Sequence, residues 1–187
     1  VTGVDDSPPS VDGDATTAIM VSVTASQSDD AFDALASQQV SVTTTDNDSP
    51  GFTVAQSAGS TSVTEAGTTD TFTGLLNVQP ASDVVISVVS GDTGEATVDK
   101  ASLTFTSLNW NVAQTGTVTG VNDDVADGNQ NVSLTLSVLD ASSDPVFASM
   151  ADQSFTAINT DNDTAGITLS KTSATVSESG TTDTFAI

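Results

Sequence analysis

The sequence contains no cysteine, no histidine, no tyrosine and no arginine. Without cysteine there are no disulfides, no thiolate nucleophile and no zinc–sulfur site. Without histidine the usual catalytic base and the common transition-metal ligand are missing. Lys100 and Lys171 are the only cationic side chains against 25 acids, for a net charge of −23. A chain so poor in positive charge cannot neutralise phosphates, which excludes nucleic acid as a partner. It is also repelled by anionic membrane surfaces, and no apolar run is long enough to span a bilayer.

The acids that are present are of one kind. Only Glu65, Glu95 and Glu178 are glutamates; the other 22 are aspartates. Exposed helical faces favour glutamate, whereas aspartate favours turns and is a hard oxygen ligand for calcium. Apolar residues make up 36% of the 187 residues, and 13 glycines bring that share close to the ordinary globular range. A packed core is therefore affordable. Charged residues are only 14%, and serine and threonine fill the polar positions.

The chain repeats itself. Val1-Thr2-Gly3-Val4-Asp5-Asp6 returns as Val118-Thr119-Gly120-Val121-Asn122-Asp123, and Asp46-Asn47-Asp48 returns as Asp161-Asn162-Asp163. The first offset is 117 and the second 115, so the first copy carries two extra residues, in the loop around Pro8 and Pro9. Glu65-Ala66-Gly67-Thr68-Thr69-Asp70 returns as Glu178-Ser179-Gly180-Thr181-Thr182-Asp183. A period of about 115 residues is domain-sized, not a solenoid unit. Residues 1–48 read as the C-terminal half of one repeat, 49–163 as a complete repeat and 164–187 as the start of the next. Residue 1 is expected inside a strand, which makes the chain a piece of a longer array.

The pattern is all-β. Val132, Leu134, Leu136 and Val138 alternate on one face, and Ile19, Val21 and Val23 repeat that face in the earlier copy. Further strands are expected over 69–78, 83–89, 101–106, 115–121 and 154–159, with one helical turn over 30–35. About seven strands per repeat predict a tandem antiparallel Greek-key sandwich. Trp110 is read as core or sheet-edge packing.

The acids of the complete repeat fall in loops: Glu65; Asp92 with Glu95; Asp123, Asp124 and Asp127; Asp161 with Asp163. A sandwich gathers its loops at two ends, so these segments are expected to meet. Calcium takes six to eight oxygens, and it would relieve the repulsion between clustered carboxylates. Solvated turn aspartates are the plainer alternative. Asp161-Asn162-Asp163 is not an EF-hand, because Thr172 stands where the closing glutamate belongs.

The segments Val63-Thr64-Glu65-Ala66-Gly67, Gly94-Glu95-Ala96-Thr97-Val98, Val118 to Asp124 and Asn159-Thr160-Asp161-Asn162-Asp163 together resemble the Calx-beta family. The resemblance spans 49–163 and both partial copies. It implies a seven-stranded immunoglobulin-like sandwich and a calcium site from Glu65, Glu95, Asp123 with Asp124, and Asp161 with Asp163. Asp127 is added to that set, and Asp5, Asp6, Asp46, Asp48 and Glu178 are the matching acids of the partial copies. Asn122 and Asn162 depart from the family's acidic runs. Tandem repeats of this kind resemble the stalks of large bacterial surface proteins and adhesins. That implies a non-enzymatic extracellular segment whose partners are its neighbouring repeats, with calcium stiffening the joints, or a homopolymeric fibre. Thr160-Asp161-Asn162-Asp163 also resembles the cadherin linker, but the arginine-containing motif of that family is missing, so it ranks second. Threonine ladders such as Thr115, Thr117 and Thr119 leave a carbohydrate- or ice-binding module open, and a calcium-free spacer that packs laterally into a filament is the remaining alternative.

Overall fold

A computed structural model describes residues 1–187. Strands β1 (Ala15–Val21) and β2 (Gln38–Thr44) form a two-stranded antiparallel ribbon. The next nine strands are β3 (Phe52–Gln56), β4 (Thr61–Thr64), β5 (Thr69–Leu76), β6 (Val84–Ser90), β7 (Ala96–Val98), β8 (Ser102–Phe105), β9 (Gln114–Gly120), β10 (Gln130–Val138) and β11 (Gln153–Thr160). They make a five-stranded sheet in the order β4-β11-β10-β6-β8 and a four-stranded sheet in the order β3-β5-β9-β7. The fold is an all-β sandwich of the immunoglobulin type.

Alternation accounts for the core. Val132, Leu134 and Leu136 of β10 and Val84, Ile86 and Val88 of β6 are buried on the inner face of the larger sheet. Phe72, Leu76 and Val118 are buried from the smaller one, with Trp110 and Phe147 closing one end. The Phe72 ring needs a bare neighbour: a Cβ on Gly116 would lie 2.3 Å from it.

The strand count is nine, not seven, for two reasons. The opening strand changes sheets at Ser57–Gly59, where Ala58 (φ 50) and Gly59 (φ 83) adopt left-handed backbone. Its first half, β3, pairs with β5, and its second half, β4, pairs parallel with β11. The short strand β7 adds an edge beside β9. The expected helical turn is a 3-10 turn over Asp30–Phe32, held by the Asp29 carboxylate on the Ala31 N–H at 2.9 Å. Asp144 does the same for Val146 at 3.0 Å.

Val1 does not lie in a strand. Its counterpart Val118 is held between β5 and β7, and residues 1–4 have no such neighbours. For the same reason Phe32 is 55% exposed where its counterpart Phe147 is 1% exposed.

Candidate metal centre

The chain enters the sandwich at the Phe52 end of β3 and leaves at the Thr160 end of β11. At the exit end four loops converge. Glu65 follows β4, Glu95 precedes β7, Asp123 and Asp127 lie between β9 and β10, and Asp161 and Asp163 follow β11. Carboxylate oxygens of Glu65, Asp161 and Asp163 lie within 4.8 Å of one another, as do those of Glu95, Asp123 and Asp127.

Backbone bonds fix this geometry. The Glu65 N–H donates to the Thr160 carbonyl at 3.2 Å, continuing the β4–β11 ladder beyond Thr64. The Glu65 carboxylate then accepts the Asn162 N–H at 2.9 Å. Asp161 accepts the N–H groups of Gly128 at 2.7 Å and Asp163 at 2.6 Å. Its own N–H donates to Asn129 at 3.2 Å. Gly128, with φ 80, supplies the left-handed turn this loop needs.

Asn159 ties the two groups together. It is 1% exposed, and its Nδ2 donates to Glu95 at 3.0 Å and to the Val121 carbonyl at 2.9 Å. The strands meet closely here: a Cβ on Gly120 would lie 2.2 Å from the Thr64 carbonyl oxygen and 2.8 Å from Asn159 Oδ1. Neither Asn159 nor Gly120 is singled out by its residue type, and only the strand packing reveals their role.

The electrostatics are unfavourable without a cation. The Asn162 N–H draws the Glu65 pKa down, yet desolvation and the charges of Asp161, Asp123 and Asp163 leave it raised. Desolvation, then Asp161, Asp124, Asp123 and Asp127, raise that of Asp163. Asp163 Oδ2 and Asn159 Oδ1 are buried oxygens with no hydrogen-bond partner. Buried oxygens ordinarily have a partner. An all-oxygen donor set with two such orphans fits a hard divalent cation. Lys100 does not serve the site, since it donates to the Thr115 carbonyl.

The remaining acids are placed as follows. Asp124 lies outside both triads but contributes to the field at Asp163. Asp92 accepts the Gly94 N–H at 2.9 Å and shapes its own turn. Asp5, Asp6 and Asp46 line an open cleft of about 390 Å³ in residues 1–48, and Asp48 adjoins it. The turn chemistry recurs there: Asp46 accepts the N–H groups of Gly13 and Asp48, both at 2.8 Å. The Ser10 hydroxyl lowers the Asp6 pKa, and desolvation and the neighbouring Asp6 raise that of Asp48. Glu178 is exposed and has no acidic partner set.

No protein-family model and no curated protein matches the chain. Among solved structures, SSP-19, an MSP-domain protein like family member in Caenorhabditis elegans, has a TM-score of 0.38 at 14% identity over 59% of this chain and 99% of that one. The apo-form Calx CBD1 domain has a TM-score of 0.38 at 12% identity over 60% and 98%. Domains 4 and 5 of the S-layer protein SbsC have a TM-score of 0.41 at 18% identity over 79% and 58%.

Proposed function

We propose that this chain is a calcium-binding structural segment of an extracellular stalk or fibre, made of sandwich repeats and without enzymatic activity. The observation that carries the reading is the pair of carboxylate triads at the exit end, with buried Asp163 Oδ2 and Asn159 Oδ1 left unpartnered beside them. Glu65, Asp161 and Asp163 would hold one ion. Glu95, Asp123 and Asp127 would hold a second, with Asp124 adding charge. The terminal acids stand where β11 hands over to residues 164–187, so an ion there ties the joint to the preceding repeat. Affinity of about 10⁻⁴–10⁻³ M suffices in calcium-rich surroundings outside a cell. The same turn chemistry around Asp46 and Asp161 suits a device used once per repeat better than a single active site. No helix of the chain is long and apolar enough to cross a membrane. Neighbouring repeats are the proposed partners, and a cell surface, bacterial by resemblance, is the proposed location.

A second reading has one observation behind it. Thr69, Thr71 and Thr73 of β5 stand opposite Thr119, Thr117 and Thr115 of β9 on the outer face of the smaller sheet, and Thr97 flanks Thr119. Such a hydroxyl lattice suits a sugar or ice surface. Threonine also suits any outward strand position, and sheets of this kind twist, so calcium ranks first. Calcium titration with thermal melting tests it, using Asp123→Asn and Asp161→Asn as the variants that should lose the response.

A further inference from the structure

The entry end of the sandwich carries a contact that the calcium reading does not require. Among residues 1–18 only Pro9, Ser10 and Val11 are withdrawn from solvent. These residues lie in the loop that carries the two extra residues of the first copy. The Pro9 carbonyl accepts the Gln79 N–H at 2.8 Å, and Val11 packs against the sandwich core. The receiving socket is built by the β5–β6 loop and the 3-10 turn Pro145–Phe147, with Val78, Pro80 and Phe147 buried in it. The Asp144 carboxylate, 4% exposed, holds the two parts of the socket together by accepting the N–H groups of Ala81 at 2.7 Å and Ser82 at 3.1 Å.

The loop is shaped from behind by the acids of its own segment. Asp48 accepts the Ser10 N–H at 3.1 Å and Asp6 accepts the Ser10 hydroxyl at 2.7 Å. Asp46 accepts the Asp12 N–H at 3.1 Å. Proline in the loop limits the conformations it must give up on docking. The corresponding loop after β9 is two residues shorter and leaves Val125 56% exposed.

We propose that the loop Pro8–Val11 is a latch by which one repeat docks onto the entry socket of the repeat that follows it, and that its two extra residues give it the reach. The partner is a second sandwich of this kind, recognised by a carbonyl offered to the Gln79 N–H and an aliphatic side chain set against Val78 and Phe147. The latch joins repeats through direct contact, whereas the acidic end acts through an ion.

Amide hydrogen exchange on the whole 187-residue chain in EDTA tests this. The Gln79 N–H should exchange slowly in the parent chain. Val11→Asp, or deletion of Pro8 and Pro9, should speed it at least tenfold. The Asn77 N–H, bonded to the Gly51 carbonyl at 3.1 Å, should keep its protection in both variants and so report that the sandwich remains folded. Fast exchange at Gln79 in the parent chain, or unchanged slow exchange in both variants, overturns the latch.

Discussion

Gly120→Ala should damage fold and site together. Its Cβ would stand 2.2 Å from the Thr64 carbonyl oxygen, whereas ordinary contact begins near 3.4 Å. Backbone on both sides makes relief by side-chain rotation impossible, so β4 and β9 must separate by roughly 1 Å at this point. The end of the β4–β11 pairing, Val63↔Asn159 and Thr64↔Thr160, would give way with the Glu65–Thr160 bond. Overpacking plus the weakened backbone bonds should cost about 3 kcal/mol. For a sandwich of this size that is a fall in Tm of about 12 °C. Because Glu65 is carried by the displaced strand, the calcium response should fall as well. Gly116→Ala is the control: its Cβ would meet the Phe72 ring at 2.3 Å, and it lies four residues, about 13 Å, along the strand from Gly120. It should lower Tm but leave the calcium response of the folded protein intact. Thermal melts with and without calcium read both quantities. A Gly120→Ala protein that melts and responds like the parent would refute the close approach and the placement of Glu65 that depends on it.

In calcium-free solution the sandwich should gain stability as the pH falls from neutral toward the ordinary carboxylate range. The raised pKa values of Glu65 and Asp163 make the folded state bind protons more tightly than the unfolded chain, so stability declines as the pH rises through the raised values and is lowest above them. Asp70, lowered chiefly by the Ser57 hydroxyl, acts in the opposite sense, and its contribution is lost only below the ordinary carboxylate range. Urea midpoints in EDTA, taken at neutral pH and just above the ordinary carboxylate range, check the sign, and a lower midpoint at the more acidic pH would contradict it. Asp144→Ala should cost about 3 kcal/mol, because the N–H groups of Ala81, Ser82 and Val146 lose a buried charged acceptor. Chemical denaturation should show a smaller loss for Asp144→Asn, and a cost under about 1 kcal/mol for Asp144→Ala would contradict the tie.

The sandwich is legible in the sequence because period-2 alternation and burial coincide. Val132 to Leu136 and Val84 to Val88 read as strands with one dry face, and they are. The clustering of the acids is legible because they fall in loops, and a sandwich gathers its loops at its ends. What escaped is whatever depends on contacts between strands distant in sequence. Nothing in Thr53 to Thr64 announces that this strand changes sheets, since the switch rests on left-handed backbone at Ala58 as well as at Gly59. Asn159 reads as one more polar strand residue until β9 and the Glu95 loop are brought against it. Val1 reads as strand because its sequence matches Val118, but alternation promises only a face, and a ladder needs neighbours. The burial of Asp144 follows from the β5–β6 loop, whose Ser82 N–H it accepts from 62 residues earlier.

The most direct measurement is the melting temperature in EDTA and in 10 mM calcium. With dissociation constants of about 10⁻⁴–10⁻³ M, each ion bound only by the folded state adds about 1.4–2.7 kcal/mol. That corresponds to a rise of about 6–11 °C per ion. The rise should be at least this size, smaller with magnesium, and reduced by Asp123→Asn and by Asp161→Asn. An unchanged melting temperature would contradict it and return these carboxylates to the role of solvated turn residues.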